Sequence, residues 1–280
     1  MYECFDLSIS DHVAHLQLTR PDAYNSMVPS FWTDLPKIVG ELDAAGTARA
    51  IVISSTGKHF CAGMDLSVFT GGGGIGEPPE VSESGRKRAY LWMMVQHLQE
   101  SFTSLERARM PVLAAIQGGC IGGAVDMVTA ADMRYCSADA FFCVQEINIG
   151  MTADVGTLQR LPKLIPEGIA RELAYTGDRM PAQRALECGL VNQVFDDHGS
   201  LVEGTLEIAA RIAAKSPLAI WGTKEMIGFT REHSVADSLK YMAGWQSGMF
   251  QPADMMETFV AKGEGRDPQF DDLLPHGTGL

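Results

Sequence analysis

The chain has 280 residues, 46% hydrophobic and 20% charged, and its 22 Lys and Arg stand against 35 Asp and Glu for a net charge of −13. Such a composition belongs to a globular protein with a sizeable core in one or two domains and excludes a disordered or fibrous chain. The acidic balance offers no basic face for nucleic acid or anionic membrane, so neither is expected as a partner.

The opening segment Met1-Tyr2-Glu3-Cys4-Phe5-Asp6 lacks the basic and apolar regions of a secretory signal, and no apolar run is long enough to span a bilayer, which points to a cytoplasmic protein. Val13, His15 and Gln17 alternate with Ala14, Leu16 and Leu18 as in a half-buried strand that ends at Arg20-Pro21-Asp22. A helix is predicted from Ser30 to about Ala45, followed by a buried strand over Ala50-Ile51-Val52-Ile53-Ser54. Residues Gly71 to Gly85 hold six glycines and two prolines and read as a surface loop that covers a pocket. Within it, Gly71 to Gly76 satisfies G-x-G-x-x-G literally. Pro78-Pro79 follow where the dinucleotide fingerprint needs a helix, which excludes that reading.

From Arg86 to Arg107 the residues Leu91, Met94, Val95, Leu98, Phe102 and Leu105 recur at helical spacing, so a long amphipathic helix with its methionines in the core is expected before Pro111. Val112 to Ile116 then reads as a strand, Gly118 to Gly123 as a glycine turn and Ala124 to Ala131 as a buried helix. Further strands near Met133–Cys136 and Ala140–Val144 and a turn at Gly150 precede a helix expected from about Val155, giving a repeated strand-strand-helix unit. Beyond about Ser200 the pattern is helical, over Leu206–Lys215, Leu218–Phe229 and Val235–Phe250, with a polar tail from Gly263 whose end is expected to be mobile. The division expected is a core over 1–200 and a helical region over 201–280.

Two glycine turns follow apolar strands where backbone N–H groups lack intrahelical acceptors: Phe60 to Leu66, with Gly63 and the Met64 amide, and Gly122-Gly123 at the head of the buried helix. Two such donors converging on one carbonyl would form an oxyanion hole; glycines serving only tight packing are the alternative. Three acids lie near these turns. Asp126 also suits a helix dipole, Asp154 also suits an N-cap for the segment from Val155 to Leu161, and Glu146 has no capping task. Sharing a pocket, they would raise one another's pKa and supply both an acid and a base near neutral pH. Cys4, Cys61, Cys120, Cys136, Cys143 and Cys188 form no C-x-x-C pair, and the seven histidines form no cluster with ligand spacing, so no metal site is expected and the thiols read as packed and reduced. His59 and His97 read as packing or surface residues.

At these turns the chain resembles the crotonase superfamily, the enoyl-CoA hydratase/isomerase family. Leu18 to Ser26, Phe60 to Leu66, Pro111 to Asp132 and Ala140 to Pro162 carry the likeness, in order along residues 5 to 260. The resemblance implies an α/β fold, a spiral of ββα units with a C-terminal helical trimerisation region, assembled as homotrimers or as homohexamers built from two trimers. It implies an acyl-CoA thioester substrate whose oxygen is held by the Met64 and Gly123 amides, contacts to CoA around Ala23, Ala62, Asp65 and Leu66, and no cofactor beyond the CoA that belongs to the substrate. Within the superfamily, Gly118 to Asp126, Gly150 to Pro162, Ser216-Pro217 and Arg231 to Leu239 are most similar to the Δ3,5-Δ2,4-dienoyl-CoA isomerases of fatty acid β-oxidation, whose three catalytic acids match Asp126, Glu146 and Asp154.

Departures within the motifs sharpen that implication. Hydratases of the family carry glutamates at positions 126 and 146 and usually no acid at 154; Asp126 is one methylene shorter, and Asp154 adds an acid farther along the acyl chain, which favours isomerisation. A tryptophan at 146 would suit the related dehalogenases, and Glu146 argues against them. A 2-enoyl-CoA hydratase using Asp126 and Glu146 is the alternative expectation, and an acyl-CoA-binding protein without turnover is the third.

Overall fold

In the computed structural model the described residues are 2–65, 67–70 and 83–277. The strands are β1 (Phe5–Ser10), β2 (Val13–Leu18), β3 (Ala50–Ser55), β4 (Val112–Ile116), β5 (Gly119–Ile121), β6 (Met133–Ser137), β7 (Phe141–Cys143), β8 (Met180–Pro181) and β9 (Gln193–Phe195). The helices are α1 (Pro29–Ala45), α2 (Ser67–Thr70), α3 (Ser84–Arg107), α4 (Gly123–Ala130), α5 (Thr157–Leu164), α6 (Glu167–Thr176), α7 (Ala182–Glu187), α8 (His198–Ala213), α9 (Pro217–Thr230), α10 (Val235–Met249) and α11 (Pro252–Glu264).

A six-stranded sheet runs β1-β2-β3-β4-β6-β9, antiparallel only between β1 and β2, and a smaller three-stranded sheet runs β5-β7-β8. Parallel strands need both faces covered, and all six residues of β3 are buried. Leu16, Leu18 and Ile53 face a core shared with Phe31 and Trp32 of α1, Phe102 of α3 and Met127 of α4, whereas Val13, Val52 and Leu113 face the other way onto Leu201, Ala209 and Ala213 of α8. The alternation expected for β2 is thus observed, with one parity on each core. The strand-strand-helix repeat recurs as β4-β5-α4 and β6-β7 followed, beyond a 3-10 turn over Gln145–Ile149, by α5.

Several local expectations are corrected. β1 pairs with β2 through Asp11 and His12, both at positive φ, a tight hairpin built without the Gly or Asn that marks such turns in sequence. α3 starts at Ser84, because the Glu83 side chain accepts from the Gly85 and Arg86 amides. Its first half is not core: Leu91 and Met93 are 50% and 59% exposed and Met94 is only partly buried, since burial begins at Leu98 where α3 reaches α1. The loop expected over Gly71 to Gly85 lies outside the described residues through Ser82, and the expected mobile end falls on residues 278–280, also outside them. Before that end the tail is anchored, with Arg49 donating to Phe270 O at 2.6 Å and to Asp272 at 2.7 and 2.9 Å. None of the described helices is long and apolar enough to cross a membrane.

Helix α1 contains Pro36, which has no N–H to give the Trp32 carbonyl. The Ser101 hydroxyl of α3 donates to that carbonyl instead, at 2.8 Å. Trp32 is thereby held on a helix whose gap is closed by its neighbour.

Candidate active site

Two short pairings bring the glycine turns together. Cys61 donates to Gly119 O and accepts from the Ile121 amide, each at 3.1 Å, which lays the first turn along β5. Met27 donates to Gly63 O at 2.8 Å and accepts from the Asp65 amide at 3.0 Å; in such a parallel pairing the intervening Met64 turns its own N–H away from residue 27. Gly123 is the first residue of α4, where an N–H has no acceptor within the helix. Among the described backbone hydrogen bonds neither the Met64 nor the Gly123 amide donates to the protein. A Cβ on Gly63 would fall 2.6 Å from Ile121 O and 3.2 Å from Gly123 N, and the residue sits at φ +82°. Only glycine permits this approach.

The turns border a cleft of about 710 Å³ lined by Met64, Gly123, Glu146 and Asp154 together with Ala23, Ala62 and Asp65. Leu66 lies outside the described residues. Asp65 is occupied structurally: it accepts from the Ser26 hydroxyl at 2.6 Å and from the Ser67 amide and hydroxyl at 3.0 and 2.6 Å, and these bonds hold its pKa down at about 2. It remains an anion that fastens the end of the first turn to the loop before α1. That loop is itself stapled by Asn25, whose side-chain amide donates to Thr56 O and His59 O at 2.8 and 3.0 Å. His59 accepts from the Gly119 amide at 2.9 Å through Nδ1, a structural role, and His97 is exposed.

The three acids occupy different depths. Glu146, on the 3-10 turn after β7, lies against Gly122, where a Cβ would stand 3.2 Å from Oε1, and its Oε2 is buried without a partner. Burial first, then the charges of Asp126 and Asp154, push its pKa up to about 7. Asp126 does not line the cleft. It is fully buried on α4, accepts from the Thr157 amide at 2.5 Å through Oδ1, and leaves Oδ2 unpartnered. Burial raises it to about 6 against the pull of the Thr157 bond. Asp154 is exposed within the cleft, yet the surrounding walls displace enough water to raise its pKa.

Capping is not the task of Asp154. The N-cap of α5 is Gly156, with no side-chain cap, and the helix begins at Thr157 rather than Val155. The first-turn amide that a capping side chain would take is the one held by Asp126 from another helix. Asp154 is instead fixed through its carbonyl, which accepts from Gln99 Nε2 of α3 at 2.7 Å.

Seven buried side-chain N or O atoms among the described residues lack a partner, and five of them, on Trp32, Asp126, Glu146, Thr157 and Arg160, gather at or just behind this cleft. Buried polar atoms are ordinarily satisfied, so their concentration marks the place where stability yields to function. Sequence reasoning missed Trp32, Tyr24, Ile149 and Arg179 as lining residues. Tyr24 and Ile149 are more than half exposed, and Arg179 lies over the Phe141 ring at 4.4 Å from its centroid. Tyr24 and Ile149 fall within stretches that carry the family likeness, but no local pattern singles out any of the four, and only the fold assembles them. Met151, within the Gly150 to Pro162 stretch that carries the likeness, also lines the cleft.

Residues 8–273 match the family described as enoyl-CoA hydratase/isomerase. The chain is 42% identical over 261 residues to the mitochondrial Delta(3,5)-Delta(2,4)-dienoyl-CoA isomerase of Homo sapiens, covering 93% of this chain and 79% of that one. It is 40% identical over 265 residues to the peroxisomal Delta(3,5)-Delta(2,4)-dienoyl-CoA isomerase of Arabidopsis thaliana, covering 93% of each. Among solved structures, an enoyl-CoA hydratase from Bacillus anthracis superposes with a TM-score of 0.85 at 28% identity, over 96% of this chain and 99% of that one. With matching sequence along nearly its whole length and with paired amide donors beside buried acids, the chain belongs to the enoyl-CoA hydratase/isomerase family.

Proposed function

We propose that the protein isomerises a 3,5-dienoyl-CoA to a 2,4-dienoyl-CoA, as the names of its 40–42% identical relatives suggest. The observation that carries this reading is the presence of two acids in one cleft, Glu146 beside the amide pair and Asp154 elsewhere along the wall. The thioester oxygen accepts from the Met64 and Gly123 amides, so the charge that develops on it is stabilised and the C2 proton becomes acidic. In the leading assignment Glu146 removes that proton, the electron pair delocalises through C4 to C6, and Asp154 delivers a proton to C6; the exchanged assignment, with Asp154 as base and Glu146 as donor, is the second reading. One proton leaves and one arrives, so no redox partner or metal enters the scheme, and CoA enters as part of the substrate. Asp126, buried behind the cleft, biases the protonation of Glu146 through its charge.

Ala23, Ala62, Asp65 and Leu66 are proposed to flank the CoA moiety through backbone contacts. Residues 201–280 are proposed to mediate assembly into trimers or paired trimers, and fatty acid β-oxidation in the cytoplasm is the proposed setting. The relatives named above carry mitochondrial and peroxisomal designations.

The test is ultraviolet spectroscopy with purified protein. Growth of conjugated absorbance with a 3,5-dienoyl-CoA supports the isomerase. Loss of conjugated absorbance with a 2-enoyl-CoA and no response to the dienoyl substrate would establish hydration in its place.

A further inference from the structure

Arg160 of α5 lies outside the cleft, yet it touches the turn that carries two features of the site. Between Asp154 and α5 the chain passes through Val155 and Gly156, the latter at φ +137°. A Cβ at Gly156 would collide with the Arg160 guanidinium, whose Nη1 stands 1.8 Å from the point it would occupy. The guanidinium therefore meets bare backbone end-on through Nη1, which donates to Val155 O at 3.4 Å. On its other side Nη2 donates to Thr103 Oγ1 at 3.1 Å and to Glu106 Oε2 at 2.7 Å, both on α3. Glu106 in turn accepts from Arg231, just beyond α9, at 3.1 Å.

We propose that Arg160 is a positioning residue of the isomerisation, clamping the Asp154–Thr157 turn between Gly156 and α3 so that the Thr157 amide stays on Asp126 and the Asp154 carboxyl stays in the cleft. This inference rests on the isomerase reading for its kinetic consequence but not for its structural one. The Gln99 bond to Asp154 O holds one end of the turn and the Thr157 bond to Asp126 the other, while Gly156 O accepts from the Gln159 and Arg160 amides and the Val155 side chain sits in the core. Between them the backbone is fixed by the guanidinium alone among the described side-chain hydrogen bonds. Nε of Arg160 is buried and unpartnered, a cost retained where the fork of Nη1 and Nη2, rather than the full set of donors, is in use. Lysine offers the charge without the plane or the fork, so it does not replace the clamp.

The experiment compares wild type, Arg160→Gln and Arg160→Lys by steady-state kinetics on a 3,5-dienoyl-CoA, by amide hydrogen exchange without substrate, and by thermal melting. Expected for Arg160→Gln is a fall in kcat of about 30-fold with KM held within about threefold, the signature of a displaced reacting group rather than lost binding. Exchange across residues 154–158 should accelerate at least about tenfold while β3 and β4 keep their protection. Arg160→Lys should leave exchange of this turn as fast as Arg160→Gln does. Unchanged kcat in Arg160→Gln overturns the proposal, as does a loss of activity matched by global loss of protection with no excess at 154–158. If the wild type is inert toward the dienoyl substrate, the isomerase reading fails, and exchange of the turn still decides whether Arg160 clamps it.

Discussion

Glu146 occupies the space that a side chain at Gly122 would fill, with Oε1 3.2 Å from the position of the absent Cβ. Glu146, the proposed general base, and the Gly122-Gly123 turn, the proposed second oxyanion donor, are therefore built as one unit. Glu146→Gln keeps the shape and removes the base. Isomerisation and exchange of the substrate C2 proton with solvent should both fall by about 10³-fold with little change in KM, as single-turnover assays and deuterium incorporation would show.

Asp154→Asn separates the two halves of the reaction. Loss of the C6 donor should lower turnover by about 10²- to 10³-fold while Glu146 continues to exchange the C2 proton. Mass spectrometry of recovered substrate in deuterated buffer measures this directly. Full isomerase activity in Asp154→Asn would leave the third acid without a task.

The raised acids predict opposite pH trends for activity and stability. With Glu146 at about 7, its anionic form is lost below neutrality, so activity should decline by about tenfold per pH unit well below 7. For stability, a carboxyl whose folded pKa exceeds its unfolded value binds more protons in the folded state, so stability falls as pH rises from the unfolded to the folded pKa. For Asp126 that window runs from 3.8 to about 6. Asp126→Asn, which keeps an oxygen for the Thr157 amide, should be more stable than wild type at pH 8 by up to about 3 kcal/mol, with the advantage vanishing near pH 4, in denaturant melts.

Gly63→Ala tests the amide pair. The new methyl would press on Ile121 O from 2.6 Å in a backbone conformation that disfavours any side chain. Displacing the Met64 N–H should lower kcat by about 10²-fold, the effect of losing one oxyanion donor. Folding stability should fall by about 1–3 kcal/mol in the same protein.

The parts that lie in one stretch of chain are legible in the sequence. β2, β3 and β4 announce themselves through alternation or continuous apolar runs, and the Gly63 and Gly122-Gly123 turns through their place between strand and helix. Glu146 stands out in the sequence because it follows a strand and has no capping task. Asp154 was open to a capping role, since nothing local shows that its neighbour's amide is taken by Asp126 from 31 positions away. The exposed Leu91 and Met93 show the limit of periodicity: spacing marks a helical face, but that face of α3 is buried only from Leu98 onward. The lining by Tyr24, Ile149 and Arg179 depends on long-range assembly, and no pattern within one segment marks these residues as lining a cleft.

Helix α3 touches three parts of the active site within two turns of its length. Ser101 holds the Trp32 carbonyl, Gln99 holds the Asp154 carbonyl, and Thr103 and Glu106 hold Arg160. It works as a caliper, because the aromatic wall and the acid-bearing turn are set from one rigid bar rather than from each other. A substitution that shifts this bar would change the gap between Trp32 and Asp154 without altering a single lining residue. Selectivity for acyl length could thus drift through residues that never meet the acyl chain.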